Sequence, residues 1–202
     1  ARSLPLRALT AACLFGGAPL AAHAEAGDFL WRVGAGGVFP ESGNNPTVGV
    51  DDGYSLTTTL TYFYTDNWAV DLLAAWPFTH DITLNADGST VGETQHLPPT
   101  LSLQYHFAPG ARLRPYVGVG VNYTFFFQEE LSGALAGSSL DLDGSFGFAG
   151  TIGADLMLTD RLSVNAEARW IGIETEATVD GASIGDVSID PWVLGVSLGW
   201  RF

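Results

Sequence analysis

The end of the chain, residues 190–202, alternates between two kinds of side chain. From Trp192 to Phe202 every even-numbered residue is apolar, whereas the odd-numbered residues are mostly small or polar. A period of two predicts a β-strand with one apolar face. Aromatic residues flank the aliphatic ones on that face, which is typical of a barrel strand whose outside contacts lipid and whose inside is polar. We expect this strand to close the barrel by pairing with the first one.

Seven further segments of the chain repeat this alternation. They span residues 28–39, 53–65, 67–79, 97–107, 113–127, 145–158 and 161–173. Together with the terminal segment they predict an all-β fold, an eight-stranded antiparallel up-and-down transmembrane β-barrel.

The connections between these segments alternate in length. Short turns lie near residues 66, 110 and 160, and the regions between the other segments are long and rich in Gly, Asp, Ser and Asn. The long regions are residues 40–52, 80–96, 128–144 and 174–189. Outer-membrane barrels place short turns in the periplasm and long loops outside the cell. We therefore expect three periplasmic turns and four extracellular loops.

The predicted lipid-facing positions carry no charge. They are the odd-numbered residues of 29–37, 101–107 and 113–127 and the even-numbered residues of 54–64, 68–76, 146–158, 162–170 and 192–202. A charged side chain at the bilayer midplane would cost about 2–4 kcal/mol. A soluble barrel of the lipocalin type would instead turn its apolar face inward and its charged face outward. The pattern favours the membrane barrel.

Residues 1–24 have the features of a cleaved secretory signal peptide. Arg2 and Arg7 make the start cationic, an apolar run follows, and Ala22-His23-Ala24 is a small-x-small cleavage site. The run is too short for a membrane-spanning helix, which needs roughly 20 apolar residues. Cys13 is the only cysteine and lies in this segment. The predicted barrel, residues 25–202, therefore has no disulfide and no thiol chemistry.

The charge of the predicted barrel is strongly acidic. Without Arg2 and Arg7 the 8 basic residues fall to 6, so the formal net charge goes from −14 to −16. This balance disfavours nucleic acid as a partner. Seven charged residues are predicted to point into the lumen: Arg32, Asp71, Arg114, Asp155, Glu167, Arg169 and Arg201. Because an isolated buried charge is costly, we expect them to form a salt-bridged floor that blocks straight passage.

Apolar side chains are predicted to line the lumen near its extracellular end. They are Pro77, Phe126, Ile171, Ile173, Pro191 and Val193. One interpretation is a binding pocket for a small hydrophobic molecule above the polar floor. The other is that these residues merely fill a narrow barrel.

Two consecutive prolines precede the fourth predicted strand, in Leu97-Pro98-Pro99-Thr100. Proline has no N–H to donate to a ladder and is normally excluded from paired strands. These four residues are therefore a candidate lateral opening in the barrel wall. The alternative is that the strand simply begins at Thr100.

Several segments resemble the outer membrane protein W family, which includes AlkL-like proteins. The most specific are Leu97-Pro98-Pro99-Thr100 and Arg114-Pro115-Tyr116-Val117-Gly118, with Gly27-Asp28-Phe29-Leu30-Trp31-Arg32-Val33 and Asp190-Pro191-Trp192-Val193 in support. The resemblance covers residues 25–202. It implies an eight-stranded outer-membrane barrel with a narrow hydrophobic channel, involved in the uptake of small hydrophobic compounds that leave sideways through the wall.

Catalysis is not expected. His80 and His96 flank one predicted loop with Asp81 and Glu93 nearby, but no serine at a lipid-facing strand position accompanies them as a triad would require. The same four residues could bind a metal, although their spacing matches no known motif. We predict no catalytic residue, no metal and no cofactor.

Two functions remain open from the sequence. The first is a passive channel for small hydrophobic molecules. The second is a structural or adhesion barrel whose acidic loops contact partners or lipopolysaccharide-bound cations. In either case we expect the bacterial outer membrane as location, with its lipid and lipopolysaccharide as partners. The barrel assembly machinery is also expected to bind the C-terminal strand that ends in Phe202.

Overall fold

The computed structural model describes residues 26–40, 48–84, 86, 88–132 and 136–202. The predicted signal peptide, residues 1–24, lies outside the described residues. The strands in the described part are β1 Phe29–Phe39, β2 Val48–Val50, β3 Gly53–Phe63, β4 Trp68–Ala75, β5 Phe78–Leu84, β6 Thr90–Leu97, β7 Thr100–His106, β8 Leu113–Leu131, β9 Leu140–Leu142, β10 Ser145–Met157, β11 Leu162–Ile171, β12 Glu174–Val179, β13 Ala182–Ser188 and β14 Trp192–Arg201. No helix in these ranges is long and apolar enough to cross a membrane.

Eight of the strands close into an antiparallel barrel. Around its circumference they follow the order β1, β3, β4, β7, β8, β10, β11 and β14, and β14 pairs with β1. The closing seam is continuous, because Phe29 and Phe202 exchange two backbone hydrogen bonds of 3.0 Å. The predicted fold class and the pairing of the last strand with the first are confirmed.

The barrel presents its apolar residues to the outside. On β14, Trp192, Leu194, Val196, Leu198 and Trp200 are all exposed, and the other barrel strands repeat the pattern. Of the positions predicted to face lipid, Gly37 is buried instead. The rings of Phe39 and Tyr54 cover it, so closely that a side-chain carbon there would lie 2.9 Å from either ring.

The two ends of the barrel differ. At the turn end, residues 64–67, 107–112 and 158–161 join neighbouring strands directly. At the loop end, β5 and β6 form a hairpin that continues the wall, since β6 pairs with β8 and β2 pairs with β5. A second hairpin, β12–β13, pairs with β9. Residues 80–96 and 174–189, predicted as loops, are therefore largely β-structure.

Candidate functional site

The middle of the lumen holds a hydrogen-bonded ionic network. Arg32 binds Asp155 with two bonds, from Nε at 3.0 Å and from Nη2 at 2.7 Å. The Nη1 of Arg32 donates to the hydroxyl of Thr61 at 2.8 Å, and that hydroxyl donates to Asp71 at 2.6 Å. Asn165 donates to Asp155 at 3.1 Å. All five side chains are buried, so each charge has its partners inside the barrel.

The network continues through a second arginine. Arg169 Nη2 lies 3.3 Å from Asp71 and 3.5 Å from Glu167. The hydroxyl of Tyr116 donates to Glu167 at 2.9 Å, and the guanidinium of Arg32 lies over the Tyr116 ring at 5.3 Å. A continuous polar layer therefore crosses the barrel. Tyr116 and Asn165 were not among the predicted site residues, although their strand parity already turns them inward.

Two of the seven predicted residues also contact the turn end of the barrel. Arg201 pairs with Asp28 at 3.6 Å and donates to the carbonyl oxygen of Asp160 at 2.7 Å. Arg114 donates from Nε to the carbonyl oxygen of Ala111 at 3.0 Å. These contacts tie both arginines to the turn end. The structure thus brings together Arg32, Asp71, Asp155, Glu167 and Arg169.

An apolar cluster fills the lumen on the loop side of the polar layer. Its buried members are Val38, Phe78, Ala149, Ile171, Ile173, Ala177, Val187, Ile189 and Val193. Three of the predicted pocket residues, Ile171, Ile173 and Val193, therefore pack within the cluster and fill the barrel at this level. Residues of both the barrel and the β12–β13 hairpin contribute to it.

Next to this cluster, the hairpins at the loop end enclose a cavity of about 270 Å³. Its surface is almost wholly carbon. It is lined by Val50, His80, Ile82, Leu84, Val91, Thr94, His96, Phe126, Leu131, Leu140, Leu142, Thr175, Ala177, Val179, Val187 and Ile189. Phe126 is the only one of the six predicted pocket residues in this lining. Pro191 is buried and Pro77 is half-buried, and neither contributes to it.

Most of the cavity lining was missed because it lies in regions predicted as loops. A signal was available there, since residues 80–84 and 175–179 alternate with the same period of two. Their outward residues are polar or charged, as Asp81 and Glu176 are. That pattern is typical of strands whose outer face meets water. These strands therefore lie outside the hydrocarbon region of the membrane. They extend beyond the apolar belt, which is the ring of exposed apolar side chains on the eight barrel strands.

His80 and His96 stack on each other at the cavity wall. Their ring centroids are 4.7 Å apart with an angle of 18° between the planes. Burial lowers the pKa of His80, and burial together with the neighbouring His80 lowers the pKa of His96 to about 3. Asp81 and Glu93 are exposed on the opposite face of the same hairpin. The four residues considered for a metal are thus separated, and the described residues contain no group of three or more suitable ligands.

The wall is interrupted where the prolines lie. The β4–β7 ladder ends at Leu73 opposite Thr100, and the β5–β6 ladder begins at Phe78 opposite His96. No backbone hydrogen bond among the described residues joins 74–77 to 97–99. On the other side this segment is attached to β8, because Tyr123 donates to the carbonyl oxygen of Pro99 at 3.2 Å. The strand does begin at Thr100, and the chain before it is unpaired toward β4.

The sequence of the barrel matches a family model described as the OmpW family over residues 25–202. The chain belongs to the OmpW family. It is similar to outer membrane protein W of Vibrio cholerae, with 41% identity over 92% of this chain and 93% of that protein. Among solved structures it is similar to OprG of Pseudomonas aeruginosa, with a TM-score of 0.80 and 33% identity over 90% of this chain and 98% of that one. It is also similar to AlkL in lipid bilayers, with a TM-score of 0.69 and 25% identity over 100% of this chain and 96% of that one.

These relatives are outer-membrane barrels, and so is this OmpW-family protein. Its location is the bacterial outer membrane. The exposed apolar belt is accordingly the surface that contacts lipid, and the uncharged positions found in the sequence have their physical reason there.

Proposed function

We propose that this barrel is a passive entry path for small hydrophobic molecules. The observation that carries the proposal is the carbon-lined cavity of about 270 Å³ at the loop end. This volume lies just below the range of about 300–1,000 Å³ typical of ligand pockets, so it suits a compact apolar molecule. The resemblance to the OmpW family implies the same substrate class. The loop end is taken as the extracellular side, as expected for outer-membrane barrels.

The polar layer supports a route that does not cross to the turn end. Arg32, Asp71, Asp155 and Arg169 are fully buried and mutually paired, and an apolar molecule could pass them only by breaking charge-assisted bonds. In this proposal the layer is the floor of the pathway. Arg114 and Arg201 belong to the turn end of that floor.

The interrupted wall supports a sideways exit. Residues 74–77 lie opposite Leu97, Pro98 and Pro99 without ladder bonds. A gap at this point would open toward hydrocarbon, where an apolar molecule is more stable than in water. The molecule would enter the cavity from outside, cross the apolar cluster by side-chain rearrangement, and leave into the membrane beside Thr100.

The test is uptake across an intact lipopolysaccharide leaflet. N-phenylnaphthylamine fluoresces in hydrocarbon and is used as the hydrophobic probe, in a Gram-negative host that lacks its own OmpW-family barrels. Leu142→Trp fills part of the cavity and is expected to lower the barrel-dependent rate about fivefold or more, because the path must be open to the probe. Leu198→Trp adds the same bulk on the lipid-facing side and is expected to leave the rate unchanged.

Both variants are compared at equal amounts of folded barrel. If Leu142→Trp takes up the probe as fast as the unchanged protein, the cavity is not on the path. If the unchanged protein adds nothing to the rate of the host alone, the transport proposal fails. That second result would favour the structural or adhesion function.

A further inference from the structure

One wall of the cavity carries three neighbouring polar side chains, and the rest of the lining is apolar except for Thr175, whose hydroxyl donates to the carbonyl oxygen of Asp143. His80 and Thr94 are partners across the β5–β6 ladder, and His96 follows two residues after Thr94 on the same face. The three residues are only 1%, 3% and 2% exposed, respectively. In the part of the chain that the structure describes, His80 Nε2, His96 Nε2 and Thr94 Oγ1 have no hydrogen-bond partner.

Such groups are costly to a folded protein. Most buried polar side chains in proteins are hydrogen-bonded, and an unsatisfied one loses its hydration without compensation. An apolar residue of the same shape would avoid that loss at each position. Three unsatisfied groups together beside a ligand-sized cavity therefore point to a bonding partner that comes with the ligand. Their side chains must turn toward the cavity to meet it, because its present surface is almost wholly carbon.

The proton positions define what that partner must offer. Nδ1 of His80 lies 2.6 Å from the carbonyl oxygen of Asp51. A carbonyl oxygen only accepts, so Nδ1 carries the proton, and Nε2 of the neutral ring is an acceptor. Burial keeps the ring neutral by lowering its pKa, against the opposing effect of Asp51, Asp52 and Asp81. The Thr94 hydroxyl can both donate and accept.

We propose that His80, Thr94 and His96 recognise the hydroxyl group of an otherwise hydrophobic molecule, an aliphatic alcohol or a phenol. The ligand O–H donates to His80 Nε2, and its oxygen accepts from the Thr94 hydroxyl or from the His96 ring. An ether of equal size only accepts, and a hydrocarbon does neither. The inference rests on the proposed function, because it names the substrate class of the same cavity.

The test compares octanol with heptyl methyl ether, which have the same number of carbon and oxygen atoms. The full barrel is placed in lipid nanodiscs with 15N-labelled histidine and 13C-labelled methyl groups, and protein-free nanodiscs correct for partitioning. Both ligands are expected to shift the methyl resonances of Ala177 and Val187. Octanol is expected to bind roughly tenfold more tightly, since the ether leaves the His80 acceptor unsatisfied. Only octanol is expected to move the 15Nε2 resonance of His80.

Matched variants test the polar wall itself. His80→Phe and Thr94→Val remove the polar atoms and are each expected to abolish most of the preference for octanol, while Thr79→Val on the outer face keeps it. Either variant alone suffices if the other does not fold. Equal affinity for the two ligands, or a preference that survives both substitutions, would overturn the inference. If neither ligand shifts the Ala177 and Val187 methyls, the proposed function itself has failed.

Discussion

Each charged side chain in the middle of the lumen depends on several partners at once. Arg32 binds Asp155 twice and reaches Asp71 through Thr61. Arg32, Asp71, Asp155 and Arg169 are at most 2% exposed, so water cannot replace a lost partner there. Removing one charge from such a set leaves an uncompensated buried charge, which costs about 3–5 kcal/mol. The layer is therefore sensitive to single substitutions in a way that surface ion pairs are not.

Arg32→Met is expected to lower the free energy of unfolding by about 3–5 kcal/mol, because Asp155 and Asp71 lose their shared cation. The measurement is denaturant unfolding of the barrel in lipid vesicles. The double variant Arg32→Met, Asp155→Leu is expected to recover much of the loss, since no charge is left unpaired at that point. Arg161→Met, at an exposed turn, serves as the control and is expected to change stability by about 0.5 kcal/mol or less. Equal effects at residues 32 and 161 would contradict the network.

Strand parity predicted which residues turn inward but not which of them meet. Arg114 and Arg201 face the lumen as expected, and their contacts include Ala111, Asp28 and Asp160 at the turn end. Whether two inward side chains meet depends on their positions along the barrel axis. Those positions are determined by the stagger between neighbouring strands. A single sequence does not define that stagger. The same limit applies to Ile171 and Val193, for which the sequence left both pocket lining and filling open, and which pack in the apolar cluster.

At the scale of elements, the membrane strands were predicted and the hairpins beyond them were missed, because their signal is weaker. A lipid-facing strand must be apolar at every second residue, so its pattern is unmistakable. Strand β6, Thr90–Leu97, meets water on its outer face and contains Gly92 and Glu93, so its composition resembles a loop. The cavity lies between such strands. The strands that line the cavity were therefore the strands with the weakest alternation in the sequence.

A sideways exit between residues 74–77 and 97–99 can be tested by linking the two sides covalently. The predicted barrel contains no cysteine, so Ala75→Cys and Pro98→Cys can be joined across the seam by a cleavable dithiol linker. If hydrophobic molecules leave here, linking is expected to lower probe uptake several-fold, and reduction of the linker is expected to restore it. The control links Ala35→Cys to Val196→Cys, which are partners on the continuous β1–β14 seam. Uptake that is unaffected by either linker would contradict a sideways exit at Pro98.

The whole molecule separates its chemistry by depth and by side. Charge is excluded from the outward face of the membrane strands, paired within the lumen, and free to appear outward again on the hairpins beyond the belt, as at Asp81 and Glu93. This distribution follows from the three surroundings: hydrocarbon, a closed interior and water. It also explains why a strongly acidic protein can have an uncharged, largely apolar outer wall.

The position of the apolar belt in the bilayer predicts how much stability the barrel loses when a charge is placed on its outer face. Val196 lies in the middle of β14 and Trp192 at its loop end, and both are exposed. Val196→Arg is expected to lower the free energy of unfolding in lipid vesicles by about 2–4 kcal/mol, because the guanidinium would lie in hydrocarbon. Trp192→Arg places the same group near the membrane interface, where the charge itself costs about 0–1 kcal/mol. Val196→Ala and Trp192→Ala measure the loss of side-chain contacts separately. If the extra cost of arginine over alanine were equal at the two positions, the hydrocarbon would not be centred on this belt, and an exit beside Thr100 would no longer open into it.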